Sequence, residues 1–179
     1  MPARVSTRTM KLPGTATQVE NISIAMGKLD IQRAQVFLDI GCGSGAVSLA
    51  ASRYTDKIFG LDRRDEAVQM CRSKVPGGNF SLGEAAALLP GLPDVDRCFI
   101  GGTRGIDDFL PLLLKKAAPG CIIVADLARL GIAARLAQLM KEAGIFQELI
   151  QIHIARGYDL GGDIALRPVN PIFMVIGKC

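Results

Sequence analysis

The sequence predicts an α/β protein: a mostly parallel sheet with helices on both faces and an antiparallel pair of strands at one edge. Three observations carry this. Short apolar runs alternate with segments of helical period along most of the chain. A glycine-rich loop, Gly41-Cys-Gly43-Ser-Gly45, stands between one such run and one such helix. Near the end the period changes to two, with Ile150, Ile152 and Ile154 alternating with Gln151 and His153. Strand–helix alternation forces parallel strands joined by crossovers. The final two β runs, with only a loop expected between them, imply an antiparallel hairpin.

The elements follow in order. Val19, Ile22, Met26 and Leu29 recur on one helical face, and Thr17-Gln-Val-Glu20 before them reads as a capping box. Residues 36–40 form a short buried strand, and Val47, Ala50 and Ala51 mark a helix after the glycines. Residues 57–61 are a second strand. Asp65 caps a helix carrying Ala67, Met70, Cys71 and Lys74. Residues 79–82 are a weak third strand and 97–100 a fourth. Ile106, Phe109, Leu110, Leu113, Leu114 and Ala117 make a helical stripe, with Pro111 tolerated if it falls in the first turn. Pro119-Gly120 turns the chain into a fifth strand over 121–125. Ile132, Leu136, Leu139, Met140 and Ala143 form another helix, closed by Gly144. Residues 171–176 supply the last β run, whose open edge would suit a subunit contact.

With 179 residues and 49% apolar composition, a single domain over 1–179 is expected, led by an N-terminal arm over 1–16. The net charge is +4, but Arg4, Arg8 and Lys11 precede any acid, so the remainder carries only +1. That is not the broad basic surface of a nucleic-acid binder. Five cysteines without a C-x-x-C pair and a single histidine argue against zinc or a disulfide framework and for a reducing cytoplasm. Residues 1–10 lack the apolar core of a signal peptide. The apolar stretch 121–140 is broken by Asp126, Arg129 and Arg135, so no membrane span is expected. The cysteines read as small apolar fillers and His153 as a half-exposed strand residue.

Chemistry concentrates at the glycine loop. Glycines let the backbone turn sharply and approach a ligand with no Cβ in the way. A second strand ends in Asp62 about twenty residues on, placing a carboxylate where it can accept from ribose hydroxyls. A dinucleotide fingerprint would need glycine at Ala46, and no Lys-Ser/Thr follows for a P-loop. A loop with little phosphate-binding character suits S-adenosylmethionine, which carries no phosphate. Its methionine amino group would lie near Asp39. After the third strand comes Gly83-Glu84-Ala85, and after the fourth Gly101-Gly-Thr-Arg-Gly105.

These motifs resemble motif I and its neighbours in the class I methyltransferases. The larger set of Pro13-Gly14, Thr17-x-x-Glu20, Asp39 to Gly45, Leu61-Asp62-Arg63, Ile100 to Gly105, Ile154-Ala-Arg-Gly157 and Asn170-Pro171 is similar to the CbiT family. These are decarboxylating C15-methyltransferases of corrin biosynthesis, related to the C-terminal half of precorrin-6Y C5,15-methyltransferases. The resemblance implies a Rossmann-like methyltransferase fold with seven strands, one antiparallel. It also implies methyl transfer from S-adenosylmethionine to C15 of a tetrapyrrole, with loss of CO₂ from the ring C acetate. Thr17 would face the methionine end of the cofactor. Asp39, Gly41, Cys42, Gly43, Ser44 and Gly45 would hold it, Asp62 its ribose and Ala85 its adenine. Arg104 and Arg156 would hold substrate carboxylates, Arg156 reaching over the cleft mouth. No metal, nucleic acid or membrane is implied; a homotetramer is. Gln18 and Glu84 stand where the family has lysine and aspartate more often. The competing readings are a tRNA adenine-N1 methyltransferase, a protein isoaspartyl methyltransferase and a non-catalytic scaffold of the same fold. The first wants more basic charge, the second wants extra N-terminal helices, and a scaffold has no need to keep Asp39, the glycines and Asp62 together.

Overall fold

The structure, a computed structural model, describes residues 17–179. The arm over 1–16, with Pro13-Gly14, lies outside the described residues. The elements are α1 (Val19–Leu29), β1 (Phe37–Ile40), α2 (Ala46–Ala51), β2 (Ile58–Asp62), α3 (Asp65–Lys74), β3 (Asn79–Leu82) and α4 (Ala85–Leu88). There follow β4 (Val95–Ile100), α5 (Ile106–Lys116), β5 (Ala117–Leu127), α6 (Leu130–Glu142), β6 (Phe146–Ile152), β7 (Ala155–Leu160), β8 (Asp163–Pro168) and β9 (Ile172–Lys178).

Seven strands form one sheet in the order β3-β2-β1-β4-β5-β9-β6. β1 pairs in parallel with β2 and β4, and β4 with β5; β9 runs antiparallel to both β5 and β6. The expected seven-stranded sheet with one antiparallel strand is therefore present. Two apolar layers sandwich it. Phe37, Ile58, Phe99 and Val124 pack under α1, α2 and α3. Leu38, Ile100, Ile123 and Val175 pack against α5 and α6. β1 is buried along its whole length, as a central parallel strand must be.

Several local expectations fail for identifiable reasons. The capping box does not form: Gln18 is the N-cap of α1 without a side-chain bond, and Glu20 is drawn into an ion pair with Arg156. Val19 is correspondingly exposed, while Asn21 and Ala25 are buried. Arg64, not Asp65, precedes α3. Pro111 lies inside α5 rather than in its first turn. It faces solvent, so its ring and the carbonyl it leaves unbonded stay on the wet side, and buried Phe109, Leu110 and Leu113 hold the helix. Pro119 and Gly120 fall within β5, where the pairing register with β4 shifts. α4 is too short for a periodicity to show.

The tail departs most. β6 and β9 are antiparallel neighbours as expected, but the segment between them is itself a two-stranded ribbon, β7 and β8. β9 is not an edge strand either. It is inserted between β5 and β6, and β6 forms the edge.

Candidate functional site

β1 and β4 are adjacent, and their following helices pass to opposite faces of the sheet. Such a switch point opens a crevice at the carboxyl ends of the strands. A cleft of about 820 Å³ lies there.

Its floor is backbone. Gly41 has φ of 77°, and a Cβ on it would lie 2.5 Å from the Gly102 nitrogen. The β1 loop and the β4 loop thus touch main chain to main chain. Gly101 and Gly102 both donate to the Ile40 carbonyl, at 2.9 and 3.0 Å, and Gly41 and Cys42 both donate to Leu61, at 2.7 and 3.1 Å. Gly45, also left-handed at φ 73°, begins α2 with no room for a side chain beside the Cys71 sulfur, 3.1 Å away.

Asp39 is buried on β1. Ser48 on α2 donates to its Oδ2 at 2.6 Å, and its Oδ1 is buried with no hydrogen-bond partner. Burial pushes this carboxyl up to about 7, against the Ser48 bond and with help from the charge of Asp62. Asp62, at the end of β2, behaves oppositely. Burial raises it, but its hydrogen bonds outweigh that and hold it below the ordinary carboxylate value. Arg64 reaches both oxygens, Nε to Oδ1 and an NH2 to Oδ2, each at 2.9 Å. The backbone N–H groups of Gly43 and Arg64 add one bond each at 3.0 Å. A ribose accepted by Asp62 would therefore have to take the place of the Arg64 fork.

The structure brings most of the sequence-predicted residues to this cleft. Thr17, Asp39, Gly41, Cys42, Gly43 and Ser44 line it. So do Asp62, Ala85 and Arg104, while Gly45 stands behind as the N-cap of α2. Arg104 faces Glu84 at 3.9 Å. Arg156 is elsewhere. It is the second residue of β7, and its guanidinium grips Glu20 at 2.5 Å and Gln18 at 2.8 Å on the α1 entry. The expected reach over the cleft mouth is not adopted, because an acidic partner lies closer. Sequence reading missed Arg129, which lines the cleft at the start of α6, and Arg64. It also missed Asp126, one residue from the end of β5, whose half-buried carboxylate keeps Oδ1 buried with no hydrogen-bond partner. Their position at a strand's carboxyl end was the available signal. Cys42, Cys71, Cys98 and Cys121 are buried free thiols, as small fillers would be, but Cys179 is exposed, and His153 is exposed just past the end of β6 and not a half-exposed strand residue.

The residues fit S-adenosylmethionine. The orphaned oxygen of Asp39 suits an ammonium, the glycine floor suits close approach, and Asp62 suits a diol.

Comparison with known proteins agrees. The model of the precorrin methyltransferase domain matches residues 10–177. A protein of Methanosarcina acetivorans named as a probable cobalt-precorrin-6B C(15)-methyltransferase (decarboxylating) is 31% identical, covering 94% of this chain and 96% of its own. The crystal structure of precorrin 8W decarboxylase from Methanobacterium thermoautotrophicum superposes with a TM-score of 0.88 at 22% identity, over 94% of this chain and 95% of that one. Precorrin-6y C5,15-methyltransferase from Geobacter metallireducens gives 0.83 at 25% identity, over 95% of this chain and 93% of that one. With a family model and a relative matching over nearly its whole length, this chain belongs to the precorrin methyltransferase family.

Proposed function

We propose that the protein methylates C15 of a precorrin or cobalt-precorrin and releases the ring C acetate as CO₂. The observation that carries this reading is the distribution of charge around the cleft. Among the residues that line the cleft, Asp39 keeps a buried carboxylate oxygen without a partner, and Arg63, Arg104 and Arg129 are exposed cations. A tetrapyrrole edged with carboxylates needs such cations, since guanidinium holds carboxylate bidentately and stays charged.

S-adenosylmethionine supplies an electrophilic methyl group, so the protein's own work is alignment and exclusion of water. In this reading Asp39, the loop from Gly41 to Gly45, Asp62 and Ala85 hold the cofactor, with Thr17 at its methionine end. Arg104 and Arg129 meet the substrate. Arg156 joins them only by leaving Glu20. The whole chain acts as one methyltransferase domain in the cytoplasm; no helix among the described residues is long and apolar enough to cross a membrane.

The reading includes a homotetramer. The β7–β8 ribbon stands off the main sheet and exposes Leu160 at 61%, Ile164 at 79% and Leu166 at 68%. An isolated two-stranded ribbon is marginal in water, and a second copy packed on it would cover these side chains. Light scattering should report four chains, and Ile164→Lys should lower that number.

The decisive experiment is incubation with purified corrin intermediates and S-adenosylmethionine, followed by mass spectrometry. The reading requires gain of one methyl group together with loss of one CO₂. Methyl gain alone, or no change with any corrin intermediate, refutes it.

A further inference from the structure

The carboxylate at the end of β2 is full. Asp62 Oδ1 receives the Arg64 backbone N–H at 3.0 Å and the Arg64 Nε at 2.9 Å. Its Oδ2 receives the Gly43 N–H at 3.0 Å and an Arg64 NH2 at 2.9 Å. Two donors on each oxygen are the capacity of a carboxylate. The Asp62 side chain is 3% exposed and the Arg64 side chain 33%, so the guanidinium is the cover and the carboxylate lies beneath it. Both residues line the cleft. The donors differ in what they can yield. The backbone N–H groups belong to the glycine loop and to the N-cap of α3, and are fixed with the chain. The guanidinium rides on a flexible stem, partly in solvent.

A cis-diol brings two hydroxyl donors, as many as the fork supplies. A ribose can therefore take Asp62 only where the fork gives way, one hydroxyl for each guanidinium bond. We propose that Arg64 is an internal stand-in for the cofactor's ribose: it fills the ribose seat until a ribose displaces it, and its displacement lowers the affinity of every ligand that carries the ribose by the same factor. While seated, it keeps a nearly buried carboxylate charged and aimed, so the seat is ready-made. The methyl donor and its demethylated product share the ribose, so Arg64 competes with both alike. The competition that loosens the donor also hastens the spent product out of the cleft. This rests on the placement of the ribose at Asp62 proposed above.

Calorimetry on the full chain with S-adenosylmethionine, S-adenosylhomocysteine and adenosine tests it without any corrin substrate. Arg64→Met keeps the stem, removes the fork and leaves the two backbone bonds to Asp62. All three ligands should bind about fivefold tighter, the worth of one partly exposed charged pair. Arg64→Lys keeps the charge without the fork and should gain by a smaller factor. In an Asp62→Asn background Arg64→Met should gain nothing. A gain confined to S-adenosylmethionine would mean only that a cation was removed from beside a cationic ligand. Unchanged or weaker binding of all three would mean that Arg64 takes no part or helps to hold the ribose. Each of these overturns the proposal. A second arm needs no variant: nitrogen NMR of the wild-type chain should show the Arg64 Nε–H protected from exchange before adenosine is added and unprotected once adenosine saturates it. Protection that persists overturns the proposal too. If Asp62→Asn binds adenosine as tightly as wild type, the ribose seat itself is refuted, whatever Arg64 does.

Discussion

Asp39 lets the cofactor site be tested by counting protons. Its carboxyl is pushed up to about 7, because burial penalises the anion and only Ser48 compensates. An ammonium brought to the free Oδ1 must lower that value, so binding below pH 7 expels a proton. At pH 6 about nine-tenths of the Asp39 carboxyls are protonated, and nearly all of that fraction is released. A free α-amino group titrates at about 8, so above that pH binding must instead take up a proton for the ligand. The number of protons exchanged should change sign between about pH 7 and 8, and affinity should peak there. Calorimetry in buffers of different ionisation enthalpy measures this count directly. Stability of the unliganded protein provides the second arm. A folded-state value raised above the unfolded one means that stability is lost as pH rises from about 4 to about 7, at no more than about 1.4 kcal/mol per unit. Asp39→Asn should therefore melt higher than wild type at pH 8 and no higher at pH 4. It should also lose the proton release at pH 6. A count that is independent of buffer at pH 6 would show that no ammonium meets Asp39, and an Asn variant with the wild-type pH dependence of melting would show that its carboxyl is not raised.

Three further outcomes are expected. Gly41→Ala should abolish cofactor binding and cost more than about 2 kcal/mol, combining left-handed strain with a clash on Gly102; Gly120→Ala, with a similar φ of 81° and nothing within 4 Å, should cost only the strain. Asp62→Asn should weaken S-adenosylmethionine by about 1.5–3 kcal/mol in calorimetry, through both the diol and the Gly43 N–H it anchors; unchanged affinity removes it from the site. Glu20→Gln should loosen Arg156, and the KM for the corrin should fall if that arginine is a substrate ligand, while an unchanged KM makes the Arg156–Glu20 pair purely a clasp between β7 and α1.

The sheet and the cleft floor were legible because each rests on local chemistry. A strand followed by Gly41, Gly43 and Gly45 has few alternatives, and an acid at the end of the next strand has one obvious place. What escaped was set by distant contacts. Thr17 and Glu20 form a capping box by spacing, yet Arg156 claims Glu20 from far along the chain. Arg156 was legible as a motif residue but not as the partner of Glu20, since nothing local brings β7 to α1. The β7–β8 ribbon carries little apolar period because neither of its faces is buried in the chain.

The insertion of β9 between β5 and β6 bears on how the molecule assembles. β6 touches the sheet only through β9, which lies later in the chain. β6 therefore has no partner to dock on until β7, β8 and β9 have followed it. In the half of the sheet from β3 to β5 each new strand pairs with one made before it, whereas the last two strands must arrive together. Closing the sheet is then a single late event across a long loop, a slow step by chain entropy. Until it occurs the β5 edge stands open, and a growing or refolding chain is most prone there to pair with the wrong partner.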